Sequence, residues 1–402
     1  MAFDLPRVSG RVAVRRIALH DFRCHQRLKL ELHPESVVLV GPNGSGKTSV
    51  LEALSLLTPG RGLLRSRLSD MRRRQSPDDV APAWSVSARL HAPKGPMDIV
   101  TAFEAGDVGK DRRHVRIDGQ PARGRTALAE ALSALWLTPE MDSLFTETPS
   151  ARRRFLDRLV WGVDPAHVAR VSAYERAMQQ RSALLRRRAA DTAWLSALEE
   201  TMGGLGIAVA VARRQAAEAL SNLAREAPLR GLPCTAVGVS GTVEQWLGEI
   251  PALEGEERLR GALLRARATD AEAGGAAVGP HRSDLIVVNG ESGRRAQDCS
   301  TGEQKMLLIA VVLAAARLQK RERGAAPLLL LDDVVAHLDA RHRGAVFESI
   351  DDLAAQAWYA GCDRGPFAPL KGRAQFVPLG AANGMATDDE TAEASEQRGS
   401  DE

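Results

Sequence analysis

Apolar residues recur at every second position in Arg27-Leu28-Lys29-Leu30-Glu31-Leu32, across residues 84–91, and in Asp98-Ile99-Val100-Thr101-Ala102-Phe103. That period puts alternate side chains on opposite faces of an extended chain and predicts half-buried strands. From about residue 164 the period becomes helical. Val171, Tyr174, Met178 and Leu185 share one stripe; after an N-cap at Asp191 a second runs through Leu205, Val209, Ala212, Ala216, Leu220 and Leu223. Two antiparallel helices forming a short arm are the simplest expectation. Gly203, Gly204 and Gly206 each weaken the second helix by about 0.5–1 kcal/mol relative to alanine, which predicts a bend there. Pro228, Gly231 and Pro233 end the helical stretch, and after another short amphipathic segment the glycine-rich residues 273–279 predict a linker into a strand over 284–288. A helix over 303–317, a buried strand over 327–331, a helix over 340–353 and a strand near 357–360 complete the pattern. The expected fold class is α/β, one domain split by a helical insertion: 1–148 as its first part, 149–272 as the arm, 273–380 as its second part, and 381–402 as an acidic tail expected to be disordered.

Composition fits a globular chain of 402 residues, with 44% hydrophobic and 26% charged residues. The longest apolar run, residues 306–316, is shorter than the roughly 20 residues that span a bilayer, and the arginine-bearing N-terminus has no apolar stretch of signal type. A cytoplasmic protein without a membrane partner is therefore expected. Cys24, Cys234, Cys299 and Cys362 lie far apart and make no zinc or disulfide pattern. The net charge is +3, but the tail carries −6, leaving +9 on the remainder, a balance suited to a polyanionic partner. Arginine triplets at 72–74, 152–154 and 186–188 are read equally well as solvated helix faces or as phosphate contacts, and for 152–154 packing against the sheet with internal ion pairs is at least as good a reading as touching phosphate.

Chemistry enters with Gly41-Pro42-Asn43-Gly44-Ser45-Gly46-Lys47-Thr48, which fits GxxxxGK[ST] between a predicted strand, residues 36–40, and a predicted helix. Glycines there let backbone N–H groups close on phosphate oxygens, Lys47 reaches the β and γ phosphates of ATP, and the Thr48 hydroxyl binds Mg²⁺. Its complement is Leu328-Leu329-Leu330-Leu331-Asp332-Asp333, an apolar strand ending in acids. Asp332 is the expected metal contact, and Asp333 is placed to polarise the attacking water.

Ser300-Thr301-Gly302-Glu303-Gln304, at a predicted helix start about 30 residues before the acidic strand, resembles the signature motif of ABC-type ATPases. A plain N-cap at Ser300 with Glu303 completing a capping box is compatible with that reading. The resemblance implies that Ser300, Gly302 and Gln304 address the γ-phosphate held by a second copy, so that ATP joins two heads. Leu338-Asp339 looks like the loop that crosses such an interface. About 250 residues separate the glycine loop from the signature, against roughly 100 in a transporter ATPase, and Tyr359-Ala360-Gly361-Cys362-Asp363 lacks the transporter histidine. A transporter subunit is thus disfavoured.

Within this superfamily the chain resembles the RecF family of bacterial recombination mediators over nearly its whole length. Asp21-Phe22-Arg23 resembles an opening whose arginine contacts nucleotide, Pro59-Gly60-Arg61 the arginine loop, and Leu137-Thr138-Pro139-Glu140 the segment at the Q-loop position. Pro149-Ser150-Ala151-Arg152-Arg153-Arg154-Phe155-Leu156-Asp157 is similar to the family's most specific motif, and Gly279-Pro280-His281-Arg282-Ser283-Asp284-Leu285 to the one that reopens the ATPase domain. Departures are His337 where glutamate is usual, the second arginine of the arginine loop one place late at Arg65 after Leu64, and Ala360 and Cys362 in place of threonines. The resemblance implies an ABC-type P-loop head split by a short helical arm, binding ATP and Mg²⁺ through residues 41–48, Arg23, Arg61, Ser300, Gly302, Gln304 and Asp339. Lys47, Glu140 and Asp333 would be catalytic; Thr48 and Asp332 would hold the metal. It further implies a weak, DNA-stimulated ATPase that dimerises on ATP, binds double-stranded and gapped DNA, and works in DNA repair, replication restart and the SOS response. RecR and RecO would be partners in loading RecA. A structural DNA clamp that does not hydrolyse ATP is the other reading left open.

Overall fold

The computed structural model describes residues 11–380 apart from 75, 77–79, 94, 105–111, 123, 188–190, 336 and 337. Six strands, β2 (His25–Glu31), β1 (Ala13–Phe22), β4 (Ala83–Ala92), β5 (Gly95–Glu104), β6 (Arg112–Ile117) and β7 (Gln120–Pro121), form in that order an antiparallel sheet. Five others, β13 (Ala374–Pro378), β3 (Ser36–Val40), β12 (Ala357–Gly361), β11 (Leu328–Asp332) and β8 (Ala134–Leu137), form a parallel one. Helix α1 (Lys47–Ser55) packs between them, and α2 (Gly124–Ala131) leads from the first sheet into β8.

The pleat explains why the parallel strands are apolar throughout. Val37 and Leu39, Leu328 and Leu330, and Trp358 and Ala360 point toward α1 and the antiparallel sheet, where they meet Ile17, Trp84, Val86 and Ile99. Val38, Leu329, Leu331 and Tyr359 point the other way, into a core with α3 (Pro149–Val163) and α9 (Thr301–Arg323). A strand buried on both faces cannot alternate, whereas β4, which packs on the core around α1 with one face only, does.

The segment between the two head portions holds α4 (His167–Leu185), α5 (Thr192–Glu226), β9 (Thr235–Ser240), α6 (Thr242–Glu249), α7 (Ala252–Arg265) and α8 (Arg267–Ala273). Tyr174, Leu184, Leu195, Met202, Ile207, Leu259 and Leu263 make a core of their own. Beyond it α5 continues, and Ala212, Ala216, Leu220 and Leu223 join the core beneath the parallel sheet. Strand β9 pairs with β10 (Asp284–Asn289), and α10 (Ala340–Leu353) precedes β12. Asp191 caps α5 as expected, its carboxylate accepting from the amides of Ala193 and Trp194. Helix α5 runs unbroken through the three glycines, which therefore do not end it. These glycines serve close approach instead: a Cβ on Gly206 would come within 2.9 Å of Leu259, and one on Gly203 within 3.3 Å of the Glu256 carbonyl. By length and composition α5 could cross a membrane, yet 56% of its most apolar window is buried against the rest of the protein.

Opposite charges fill what apolar groups leave. Arg181, fully buried, donates to Glu199, Asp270 and the Leu263 carbonyl inside the arm core. Asp157 of α3 receives both arms of Arg213 from α5, at 2.8 and 2.9 Å, while Arg213 also donates to the Pro280 carbonyl at 2.6 Å. Burial alone would raise the Asp157 carboxyl, but Arg213 and His167 hold it down at about 2. His337, Arg188 and the acidic tail fall outside the described residues.

Candidate nucleotide site

Four strands of the parallel sheet end at one edge, and the site is built on those ends. Residues 41–46 connect β3 to α1, Asp332 is the last residue of β11, Gly361 closes β12, and Glu140 follows β8 in a short 3₁₀ turn, Pro139–Ser143. In an open parallel sheet this carboxyl edge is where ligands sit.

Backbone geometry makes the loop. Gly44 and Gly46 have φ of 82° and 91°, in the left-handed region that only glycine adopts freely, and a Cβ on Gly46 would overlap the His25 ring. Lys47 folds back, its ammonium donating to the Gly41 and Pro42 carbonyls at 2.6 and 2.9 Å. Asn43 accepts from the Cys362 thiol at 3.1 Å, so the cysteine that replaces a threonine still serves as a donor to the loop. The Gly41 amide donates to Gly361 at 3.3 Å. Ser45 keeps a buried hydroxyl with no hydrogen-bond partner, a group that a phosphate oxygen would satisfy.

The Thr48 hydroxyl donates to Asp332 Oδ1 at 3.2 Å, bringing two hard oxygen ligands together. Among the described residues no cluster of three His, Cys, Asp or Glu side chains could hold a metal. That donor set fits Mg²⁺, which keeps waters and phosphate oxygens in its shell and takes only one or two protein ligands. Burial raises the Asp332 carboxyl to about 6; the charges of Asp333 and Glu140 add to this, while the Thr48 hydroxyl and Lys47 oppose it. Asp333 stands at φ 52° with its amide bonded to the Ala360 carbonyl at 3.2 Å, a left-handed conformation costly for a residue with a Cβ. Such strain is characteristic of functional positions.

Of the remaining sequence-derived residues, Arg23 lies beside α1, bidentate to the fully buried Glu52 at 2.6 and 2.7 Å and donating to Ser66 and the Asp70 carbonyl. Arg61 is exposed. Ser300 caps α9 in a complete capping box with Glu303, and Gly302 is exposed in its first turn. Gln304 is buried, its amide donating to the Cys299 carbonyl at 2.9 Å. Asp339 caps α10 and pairs with His342. Among the described residues no hydrogen bond or ion pair joins Ser300 or Gly302 to residues 41–48. One chain thus gathers Lys47, Thr48, Asp332, Asp333 and Glu140 and leaves the signature tip unjoined to them.

The two motifs that resemble the RecF family interlock. Arg152 is bidentate to Asp284 at 2.7 Å, Arg153 donates to the Ser283 carbonyl, and Tyr174 meets His281 at 2.8 Å. Two members of the 152–154 triplet are therefore internal braces. In the first triplet, Arg73 is likewise ion-paired, to Asp21 at 2.7 Å. Sequence reasoning passed over Glu52 and Arg213, whose partners lie 29 and 56 residues away and leave no periodic trace.

A phosphate loop, paired acids on the adjoining strand end, a capped signature helix and an inserted arm define an ABC-type P-loop ATPase head of the SMC kind. Residues 13–359 match the RecF/RecN/SMC N-terminal domain. The DNA replication and repair protein RecF of Rhizobium meliloti (strain 1021) is 44% identical over 378 residues, 94% of this chain and 99% of its own. RecF of Mesorhizobium japonicum is 42% identical over 367 residues, 91% and 96% of the two chains. A solved recombination mediator protein RecF-ATP in the RecFOR pathway superposes with a TM-score of 0.77 at 20% identity, covering 90% of this chain and 95% of its own. The chain belongs to the RecF family of DNA replication and repair proteins.

Proposed function

We propose that two copies of this chain close around ATP and Mg²⁺, that closure presents a DNA-binding surface, and that hydrolysis reopens it. The observation that carries the proposal is the split distribution of site residues: the phosphate loop and acids are assembled within one chain, and the signature tip, with its exposed Gly302 and helix dipole, is free to address a phosphate elsewhere. In this reading residues 41–48 grip the triphosphate, Lys47 draws charge from the β and γ phosphates, and Thr48 with Asp332 holds the metal. Bound Mg²⁺ supplies neutralisation of the β and γ oxygens. Asp333 accepts a proton from the attacking water, and Glu140 sits close enough to interact with the Asp332 charge. Ser300 and Gly302 seal the γ-phosphate of the partner copy, Asp339 crosses the interface, and Arg23 and Arg61 flank the nucleotide. Gln304, turned inward, acts by holding the segment before α9.

The identity to RecF along nearly the whole chain supports a cytoplasmic role in recombinational repair and replication restart, with double-stranded and gapped DNA as ligand and RecR, RecO and RecA as partners. A weak, DNA-stimulated hydrolysis fits this use. The division into head segments 1–148 and 273–380 and an arm over 149–272 is proposed with one refinement: α3, β9 and the second half of α5 pack with the head. Light scattering with and without ATP, repeated with gapped duplex DNA, tests the proposal. Doubling of mass with nucleotide is expected, and a particle that stays monomeric at saturating ATP in both conditions refutes it. Phosphate release separates a hydrolysing head from a static clamp.

A further inference from the structure

Beside the carboxyl edge of the sheet, on the far side of the Glu140 turn, lies a cavity of about 470 Å³ between the loop at 59–65, α3 and α4. This volume is in the range that holds a small organic ligand. Trp136, Phe155, Trp161 and Leu144 give it apolar walls.

Its charge is unusual. Arg158, 7% exposed, lines the cavity with its guanidinium 4.1 Å from the Trp136 ring centre and 5.3 Å from that of Phe155. Among the described residues its one hydrogen bond to oxygen is a long one, 3.4 Å to the Trp136 carbonyl, with the Met141 sulfur at 3.7 Å, and its Nε has no partner. Burial, and then the Arg65 charge, push its pKa down to about 9, so it stays protonated at neutral pH. The neighbouring carboxylate, Asp157, is already engaged by Arg213 and His167. Arg61, Arg65 and Arg154 stand at the exposed rim, where partial burial first, and then the charges of Arg154 and Arg61, lower the Arg65 pKa. Among the described residues none of these four arginines has an ion-pair partner. Glu140, Glu147 and Glu175 also line the cavity, and Glu147 partly offsets the repulsion on Arg65.

A buried cation without an anion is among the most costly arrangements a fold can hold, and rim cations that repel one another add to that cost. An incoming anionic head relieves both, and the aromatic walls take an apolar body. We infer that this cavity is a binding site for a small amphipathic monoanion, an aromatic or aliphatic body carrying one carboxylate- or sulfonate-like head that seats on Arg158. The Pro139–Ser143 turn forms part of its wall, so a bound ligand would bear on the segment that carries Glu140.

The probe is the aromatic sulfonate 8-anilinonaphthalene-1-sulfonate, titrated into the folded full chain and read by fluorescence. One saturable site is expected. Arg158→Met should weaken it by about tenfold or more, and Arg154→Gln, at an exposed position that leaves folding intact, by about threefold. The uncharged analogue N-phenyl-1-naphthylamine should bind at least about tenfold more weakly than the sulfonate. Unchanged affinity in Arg154→Gln and Arg158→Met, with both variants folded by circular dichroism, overturns the site. Equal binding of the uncharged analogue overturns the anionic head. Competitive displacement by ATP with Mg²⁺ makes the cavity part of the nucleotide site and overturns the inference as well.

Discussion

Asp157→Asn tests the joint between arm and head. In the folded protein this carboxylate is buried and accepts two charged hydrogen bonds from Arg213 and one from His167. Asparagine keeps the shape but loses the charge: its amide oxygen can still accept one bond, while its N–H₂ is turned toward a guanidinium that is itself buried, leaving Arg213 one bond short and without its counter-charge. Removing one partner of such a pair costs about 3–5 kcal/mol, which in urea moves the unfolding midpoint down by about 1 M. Arg213→Met should cost a similar amount by stranding the acid, and the double variant should cost less than the sum by about 2 kcal/mol or more. Acid supplies an independent reading. Because the folded carboxyl titrates at about 2 and an unfolded one near 3.8, its contribution of about 2 kcal/mol is complete above 3.8 and disappears as pH falls through 2. The gap between wild type and Asp157→Asn should therefore narrow by about that amount between pH 5 and pH 2. Single and double variants that add within about 0.5 kcal/mol, with a gap independent of pH, would show that the pair does not hold the joint.

Ser300→Arg should bind nucleotide with wild-type affinity yet fail to double in mass with ATP; dimers at wild-type levels contradict a shared site. Asp333→Asn should keep ATP and accumulate dimers, with phosphate release lowered by about 100-fold or more, and undiminished release removes Asp333 from the chemistry. Arg181→Met leaves Asp270 buried without its cation and should cost about 3–5 kcal/mol, read as early proteolysis within the arm; unchanged protease resistance refutes this. DNA affinity should fall steeply with salt and vary little with sequence, as arginine contacts to phosphate require, and a flat salt response rules such contacts out.

The parts of the molecule legible in sequence are those whose determinants are local. The loop at 41–48 announces itself by glycines at fixed spacing, the strand ending in Asp332 by unbroken leucines, and α10 by its 14-residue periodic pattern. Strands β8, β9 and β13 are too short, at four to six residues, to show a period. By sequence helix α3 begins the arm, but the carboxylate and carbonyl partners of its arginines arrive from residues 283 and 284 of the head. The glycines of α5 read as weakness because the surface they accommodate, α7, lies about 50 residues on. Arg158 gave no signal: an arginine directly after a recognisable motif is ordinary until its surroundings are known to be aromatic and apolar.

The continuity of α5 across two cores turns it into a lever. Its fulcrum is Arg213, clamped in the head, and the long end runs 21 residues to Thr192, about 32 Å at helical rise. A tilt of about 10° at the fulcrum, a modest adjustment for packed helices, displaces that far end by roughly 5 Å. Whatever grips the outer end of the arm is thereby in mechanical register with α3 and the motif at 279–285.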